Sequence, residues 1–334
     1  MLICSVTTNN HIPRAKVMAK SIKEHMPHAI VVLCVVEKKL DPSLWDFTPF
    51  DNLVLAKDLG LNHFNQFIFK YNRFEAANSL KAALLKYVMD QYKQEQTFVY
   101  LDTDIRLYAP LTEIPALFSN HDILFTPHTT IQASDASVPK FELPILRTGI
   151  FNAGFLALKN SKESRRFLDW WHKRLEHYCY KDIAEGLFFD QKWLNLALYF
   201  FNAGAITHPG YNVAYWNTAN RKVSLKEESW RVNGEQLKFF HFSGAETGRL
   251  KSMVKKFSHD SMSQANLLKL KDRYMTELRE MGQQNHKKTA WSYDFFASGE
   301  PIFDESRIAY RKNFASYQKK KKNPFKKSNR YFLK

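Results

Sequence analysis

Two unbroken apolar runs flanking an amphipathic helix constrain this chain more than any other feature. Leu2–Val6 is short and mostly apolar, and Ala29–Val36 is an eight-residue run rich in β-branched side chains. Runs of this kind, with no polar alternation, belong to a sheet covered on both faces. Between them, Pro13 suits the first turn of a helix. Ile12, Ala15, Ala19, Ile22 and Met26 recur at spacings of three and four, which makes one helical face. A strand, helix and strand of this patterning open a mostly parallel α/β sheet of the nucleotide-binding kind.

The same reading places a short strand at Asn52–Leu55 and a helix over Phe74–Gln91, with Ala77, Leu80, Leu84, Leu85 and Val88 on one face. Thr97–Leu101 reads as a strand running directly into Asp102, and Asp122–Thr126 as another. Ser161–Tyr178 is expected to be a helix with Phe167, Trp170, Trp171, Leu175 and Tyr178 on its apolar side. A further helix is expected from Asp190 to Tyr199, and a late strand over Lys238–Phe242. Beyond about Lys251 the character changes. Leu267–Met281 looks helical and charged, and Trp291–Tyr317 aromatic and irregular. The domain plan is therefore a main domain over 1–250, a helical and aromatic extension over 251–318, and a basic tail over 319–334. Within the main domain, 1–125 is the nucleotide-binding half and 126–250 the acceptor half.

Formal net charge is +16, and the last sixteen residues hold eight Lys or Arg with no Asp or Glu, so half of the excess sits there. An anionic partner is expected for this tail, and an anionic membrane surface is the preferred one. Phe325, Tyr331 and Phe332, interleaved with the lysines, resemble a basic-aromatic anchor; a solvated terminus is the plainer alternative. Cys4, Cys34 and Cys179 form no CxxC motif, so neither a disulfide framework nor a zinc site is indicated. No signal peptide is recognisable, and no apolar run is long enough to span a bilayer. A cytoplasmic protein is expected, peripheral on the inner face of the cell membrane where the tail engages it.

The chemistry concentrates in five places. Tyr100-Leu101-Asp102-Thr103-Asp104 delivers two carboxylates at the C-terminal end of an apolar strand, the edge where α/β sheets bind ligands. Both can face one Mg²⁺ or Mn²⁺, ions that also bridge diphosphate oxygens; two solvent-facing loop aspartates are the alternative. Phe239–Gly244 sets His241 among phenylalanines, where a core histidine is the plain reading. Ser243 and Gly244 directly after it let a backbone N–H approach a phosphate. Asn152, within Gly149–Phe155, suits either a ligand or a turn. Asp190, followed by Gln191, suits either a helix N-cap or sugar hydroxyls. Arg73 and Lys81 lie near the expected helix start and suit phosphates or carboxylates, with surface charge as the alternative.

In order, Thr7-Thr8-Asn9-Asn10, Tyr-Leu-Asp-Thr-Asp, Phe-Asn-Ala-Gly-Phe, Asp-Gln and His-Phe-Ser-Gly resemble GT-A glycosyltransferases, and within them family 8 and its bacterial relatives. Arg147–Phe155 and Pro209–Asn217 look like a bacterial subgroup often encoded with cell-surface polysaccharide genes. The resemblance covers roughly residues 1–250; each motif is weak alone, while the ordered set is specific. It implies a GT-A (Rossmann-like), mixed and mostly parallel sheet flanked by helices, followed by a C-terminal helical and irregular extension. It implies a Mn²⁺- or Mg²⁺-dependent transferase that moves a sugar from a nucleotide-diphosphate donor, a UDP-sugar, to a glycan or lipid-linked acceptor. Asp102 and Asp104 then match the metal-binding pair and His241 a third ligand. Thr7, Thr8 and Asn9 match the turn against the base or ribose. Asn152, Asp190 and Gln191 match the surroundings of the donor sugar and reaction centre, and Ser243 and Gly244 the diphosphate-facing turn. Thr103, Arg73 and Lys81 complete the expected donor site. Family 8 enzymes retain anomeric configuration.

Two departures stand out. Thr7–Asn10 has none of the acidic residues frequent there, and Ala245-Glu246-Thr247-Gly248-Arg249 replaces the usual early Lys, where Arg249 or Lys251 can supply the charge. Three rival classes explain less. A nucleic-acid-binding protein accounts for the charge but not for paired aspartates ending a buried strand. An Asp-x-Asp phosphohydrolase carries its motif on the first strand. A catalytically silent sugar-nucleotide-binding module differs only in turnover.

Overall fold

β1 (Leu2–Thr7) leads through a 3-10 turn at Asn9–His11 into α1 (Ile12–His25), and β2 (Ile30–Val35) returns parallel to β1. These come from a computed structural model, which describes residues 1–40, 48–132, 134, 137–258, 260–319 and 322–333. Alternate residues of the two strands enter opposite cores. Leu2, Cys4, Val32 and Cys34 face one, and Ile3, Val31, Leu33 and Val35 the other, together with Ile12, Ala15, Ala19 and Ile22 of α1. Burial on both sides explains the unbroken apolar runs. Each fully buried Leu, Ile or Val contributes roughly 1.5–3 kcal/mol.

β3 (Asn52–Leu55), β4 (Thr97–Leu101), β5 (Ile105–Leu107), β6 (Ile123–Pro127) and β7 (Phe151–Lys159) follow. The main sheet has seven strands in the order Ala203–Ala205, β6, β7, β4, β1, β2, β3. β7 runs antiparallel to both β4 and β6, and the other neighbours are parallel. β5 leaves this sheet and pairs antiparallel with the strand Phe239–His241. This is the mixed, mostly parallel, helix-flanked sheet expected from the sequence.

Four local expectations need correction. The helix expected over Phe74–Gln91 is two. α2 (Phe64–Phe69) precedes α3 (Arg73–Ser79), which is capped by an Asn72–Glu75 capping box, and α4 (Lys81–Gln91) starts afresh after Leu80. Ser79 Oγ donates back to Ala76 O, the bond by which serine competes with helix continuation. The break puts Lys81 at a helix start, aimed inward. Next come α5 (Ile114–Leu117), α6 (Val138–Thr148), α7 (Lys162–Tyr178) and α8 (Leu194–Phe200). Tyr178 on α7 is 47% exposed rather than core, while Phe167, Trp171 and Leu175 are buried. α8 begins four residues after Asp190, so Asp190 caps no helix; its carboxylate is held elsewhere by Lys81.

The fourth correction concerns the C-terminus. Trp291–Tyr317 contains the helix Asp304–Lys312, with acids in its first turn and bases in its last, matching the helix dipole. Its Tyr310 and the tail's Phe325 and Phe332 are buried in the core that also holds β1 and α4. Phe325 and Phe332 pack on Phe69 at 5.1 and 5.0 Å between ring centres. They are therefore not available as surface anchors, and Tyr331 is the exposed aromatic of the three. Lys320, Lys321 and Lys334 of the basic tail lie outside the described residues. Among the described residues, no helix is long and apolar enough to cross a membrane.

Candidate active site

β4 ends at Leu101, and the chain turns tightly: Asp102 N donates to Gly154 O at 2.8 Å, and Ile105 N to Asp102 O at 3.1 Å. Asp104 thus sits at the head of β5, whose Ile105 is paired with His241 across the small second sheet. Sheet register, rather than sequence proximity, brings His241 Nε2 to 3.0 Å from Asp104 Oδ1. One ligand atom from each of Asp102, Asp104 and His241 falls within 4.8 Å of the others, close enough to hold one cation. Burial alone would raise the Asp104 carboxyl. His241, hydrogen-bonded to it, together with Arg14 and His11, outweighs burial and holds it well below the carboxylate range.

Asp102 is oriented by its neighbours. Tyr100 Oη donates to Asp102 Oδ1 at 3.0 Å, and Lys81 Nζ lies 3.0 Å from the same atom. The Lys81 ammonium also reaches Asp190 Oδ2 at 2.8 Å and Ala153 O at 3.0 Å. Burial opposes its charge, but Asp102 and Asp190 raise its pKa above the ordinary lysine value. Burial raises the Asp190 carboxyl against the pull of Lys81. Of the two partners that suit its residue type, Lys81 is thus paired with carboxylates. It locks the Asp-Thr-Asp turn to Asp190.

Asn152 of β7 and Gln191, three residues before α8, form an amide lattice. Asn152 Nδ2 donates to Gln191 Oε1 at 3.1 Å, Gly154 N donates to Asn152 Oδ1 at 3.2 Å, and Gln191 Nε2 donates to Thr148 O at 3.0 Å. Gly154 leaves the space between these groups. A Cβ there would stand 2.6 Å from His241 Cε1 and 3.0 Å from Asp102 Oδ2. With this cradle, the carboxylate–carboxylate–imidazole donor set fits a divalent cation.

These residues line one cavity of about 560 Å³. Lys81, Asp102, Asp104, Asn152, Asp190, Gln191, His241 and Ser243 all border it. Gly244, at φ +71°, follows Ser243 and packs on Arg249. Of the two replacements for the missing Lys, Arg249 is the one at the cavity, its guanidinium 5.2 Å from the Tyr215 ring centre. Thr7, Thr8, Asn9 and Thr103 lie outside this lining. Thr7, Thr8 and Thr103 are buried, and Thr8 Oγ1 donates to Asn10 Oδ1. A carboxylate nonetheless reaches that turn, since Asn9 N donates to Glu37 Oε1 at 3.1 Å. Arg73 is not brought to the cavity; it faces Asp294 at 3.6 Å.

Motif reasoning quoted Tyr100, Gly154 and Trp216 within longer stretches without giving them a role, and it passed over His128. Burial pushes the His128 imidazole down to about 4, so it is neutral at pH 7, and its Nδ1 lies 3.1 Å from Ile150 O. Tyr100, as the first residue of the Tyr-Leu-Asp-Thr-Asp motif, was readable as an aspartate partner, while His128 carries no local signal. A larger groove of about 770 Å³ lies at the far end of α4, lined by Lys86, Asp90, His172 and Glu176, and none of the expected site residues borders it.

No protein-family model matches the chain. Two uncharacterized Bacillus subtilis (strain 168) proteins resemble it in sequence. YfnD is 26% identical over 246 residues, 72% of this chain and 76% of YfnD. YfnF is 26% identical over 257 residues, 72% of this chain and 80% of YfnF. Among solved structures, the galactosyltransferase LgtC, crystallised with donor and acceptor sugar analogues, superposes with a TM-score of 0.51 at 15% identity, covering 84% of this chain and 96% of LgtC. The fold is thus that of the GT-A glycosyltransferases.

Proposed function

We propose that the protein is a metal-dependent glycosyltransferase that moves a sugar, a hexose, from a UDP-sugar to a glycan or lipid-linked acceptor in cell-surface polysaccharide synthesis. The observation that carries this reading is the convergence of Asp102, Asp104 and His241 on one cavity shared with Asn152, Asp190 and Gln191. Asp102, Asp104 and His241 would hold Mn²⁺ or Mg²⁺, which as a Lewis acid eases departure of the diphosphate. Arg249 and backbone donors near Gly244 add positive potential on the phosphate side. The Thr7–Asn9 turn and Glu37 lie by the end of β1, next to the end of β4 in the sheet, and take the nucleoside. The Asn152–Gln191 lattice and neutral His128 meet sugar hydroxyls. Asp190, buried and paired with Lys81, positions the Asp-Thr-Asp turn rather than acting as a free nucleophile. A front-face, retaining route assisted by the departing phosphate follows.

Apolar residues edge the cavity: Phe141, Pro144 and Ile145 from α6, with Phe188 and Phe189. Leu143 and Leu146 on the outer side of α6 are exposed, as is Tyr199 on α8. This rim favours an acceptor with an apolar portion, hence a lipid-linked one. Contact of the tail with an anionic membrane rests on its charges rather than on its buried phenylalanines. A thermal-shift panel of nucleotide sugars with Mn²⁺ tests the reading. A UDP-sugar is expected to raise Tm only when Mn²⁺ is present. No metal-dependent shift with any nucleotide sugar would sink it.

A further inference from the structure

We propose that Asn212 is a positioning residue for His241: it fixes the ring's tautomer so that Nε2 is the nitrogen presented to the cation. The proposal rests on the metal reading above and extends it to the Pro209–Asn217 stretch, to which that reading gives no role.

Asn212 is fully buried and sits at φ +53°, a left-handed conformation that asparagine tolerates better than most residues. A strained, buried amide is kept where its side chain is needed. Its Nδ2 donates to Thr126 Oγ1 on β6 at 3.1 Å. That leaves Oδ1 facing His241 Nδ1, 3.3 Å away. A carbonyl oxygen only accepts, so Nδ1 keeps a proton. Nε2, which faces the Asp104 carboxylate, is the nitrogen that gives up its proton to expose a lone pair to a bound cation.

The surroundings hold Asn212 in place. Asn217 Nδ2 donates to Asn212 O at 2.9 Å, and Asn217 Oδ1 accepts from Ala214 N at 3.0 Å. His241 N donates to Val213 O at 2.8 Å, so the stretch runs alongside the histidine strand. The Trp216 ring meets the His241 ring edge-on at 5.2 Å between centres. The stretch is therefore a bracket for one imidazole. Hydrogen-bond partners of this kind orient metal-bound histidines and raise their basicity, and losing one typically costs about 10–100-fold in metal affinity.

The test is Mn²⁺ affinity of the full-length protein, measured by electron paramagnetic resonance with and without UDP, in wild type, Asn212→Gly, Asn212→Asp and Thr126→Val. Glycine accepts φ +53° without strain, so Asn212→Gly removes the acceptor and not the backbone geometry. It is expected to weaken Mn²⁺ binding by about tenfold or more and to raise the Mn²⁺ activation constant equally, with kcat at saturating Mn²⁺ far less changed. Asn212→Asp keeps an oxygen toward Nδ1 and can accept from Thr126, so it is expected to stay near wild type. Wild-type affinity in Asn212→Gly overturns the proposal, as does an Asn212→Asp variant as weak as Asn212→Gly. If Asn212→Gly does not fold, Thr126→Val decides: weaker Mn²⁺ binding supports the orienting chain and unchanged binding overturns it. Wild type that binds no Mn²⁺ sinks the metal reading itself, an outcome distinct from failure at Asn212.

Discussion

A methyl group at residue 154 would lie 2.6 Å from His241 Cε1 and 2.8 Å from Asn152 Oδ1, closer than ordinary contact distances. Gly154 is an extended residue of β7, so the demand is for space and not for a special backbone. Gly154→Ala is expected to push His241 and Asp102 apart while leaving the sheet paired. Mn²⁺ affinity should then fall by about tenfold or more, an effect comparable to loss of an orienting partner, with the folded state retained on melting. Unchanged Mn²⁺ affinity would contradict the placement of the cation. At this scale the sequence disclosed only residues with a local pattern. Asp102 and Asp104 end an apolar strand, and His241 precedes Ser-Gly. Gly154, Thr126 and Asn212 matter through contacts across strands, for which spacing along the chain carries no signal.

At the scale of elements, β1, β2, β4 and β6 were legible because burial on two faces writes itself as unbroken apolar runs, and α1 through its spacing of three and four, while β7 was not read as a strand. What stayed hidden were features decided by single hydrogen bonds. The Ser79 back-bond splits one expected helix into α3 and α4, and the pull of Lys81 takes Asp190 from a capping role into the site. The packing of the tail's phenylalanines stayed hidden because lysines dominate its composition. Phe332 stacks on Phe296 and lies 5.0 Å from Phe69 and 5.7 Å from Tyr310, ring centre to ring centre. Phe332→Ala is expected to destabilise the whole protein by about 3–5 kcal/mol, read by urea denaturation. A loss under about 1 kcal/mol would show that the tail is a detachable appendage.

At the scale of the molecule, the C-terminal ends of β1 and β4 lie side by side at the edge where α/β sheets bind ligands. The small β5 sheet adds the histidine, and α6 walls the opposite side with apolar residues. The segments after residue 250 brace the Thr7–Asn9 turn: His286 Nδ1 lies 3.1 Å from Asn9 O, and Ser292 N donates to Glu37 Oε2 at 2.9 Å. One arrangement therefore joins the proposed metal centre, the turn proposed to take the nucleoside and an apolar rim. The most direct measurement is UDP release from UDP-glucose and UDP-galactose by wild type and Asp104→Asn, each with Mn²⁺ and with excess EDTA. The account predicts release by wild type with Mn²⁺, and none with EDTA or in Asp104→Asn. Equal release by wild type in EDTA, or by Asp104→Asn in Mn²⁺, would contradict it.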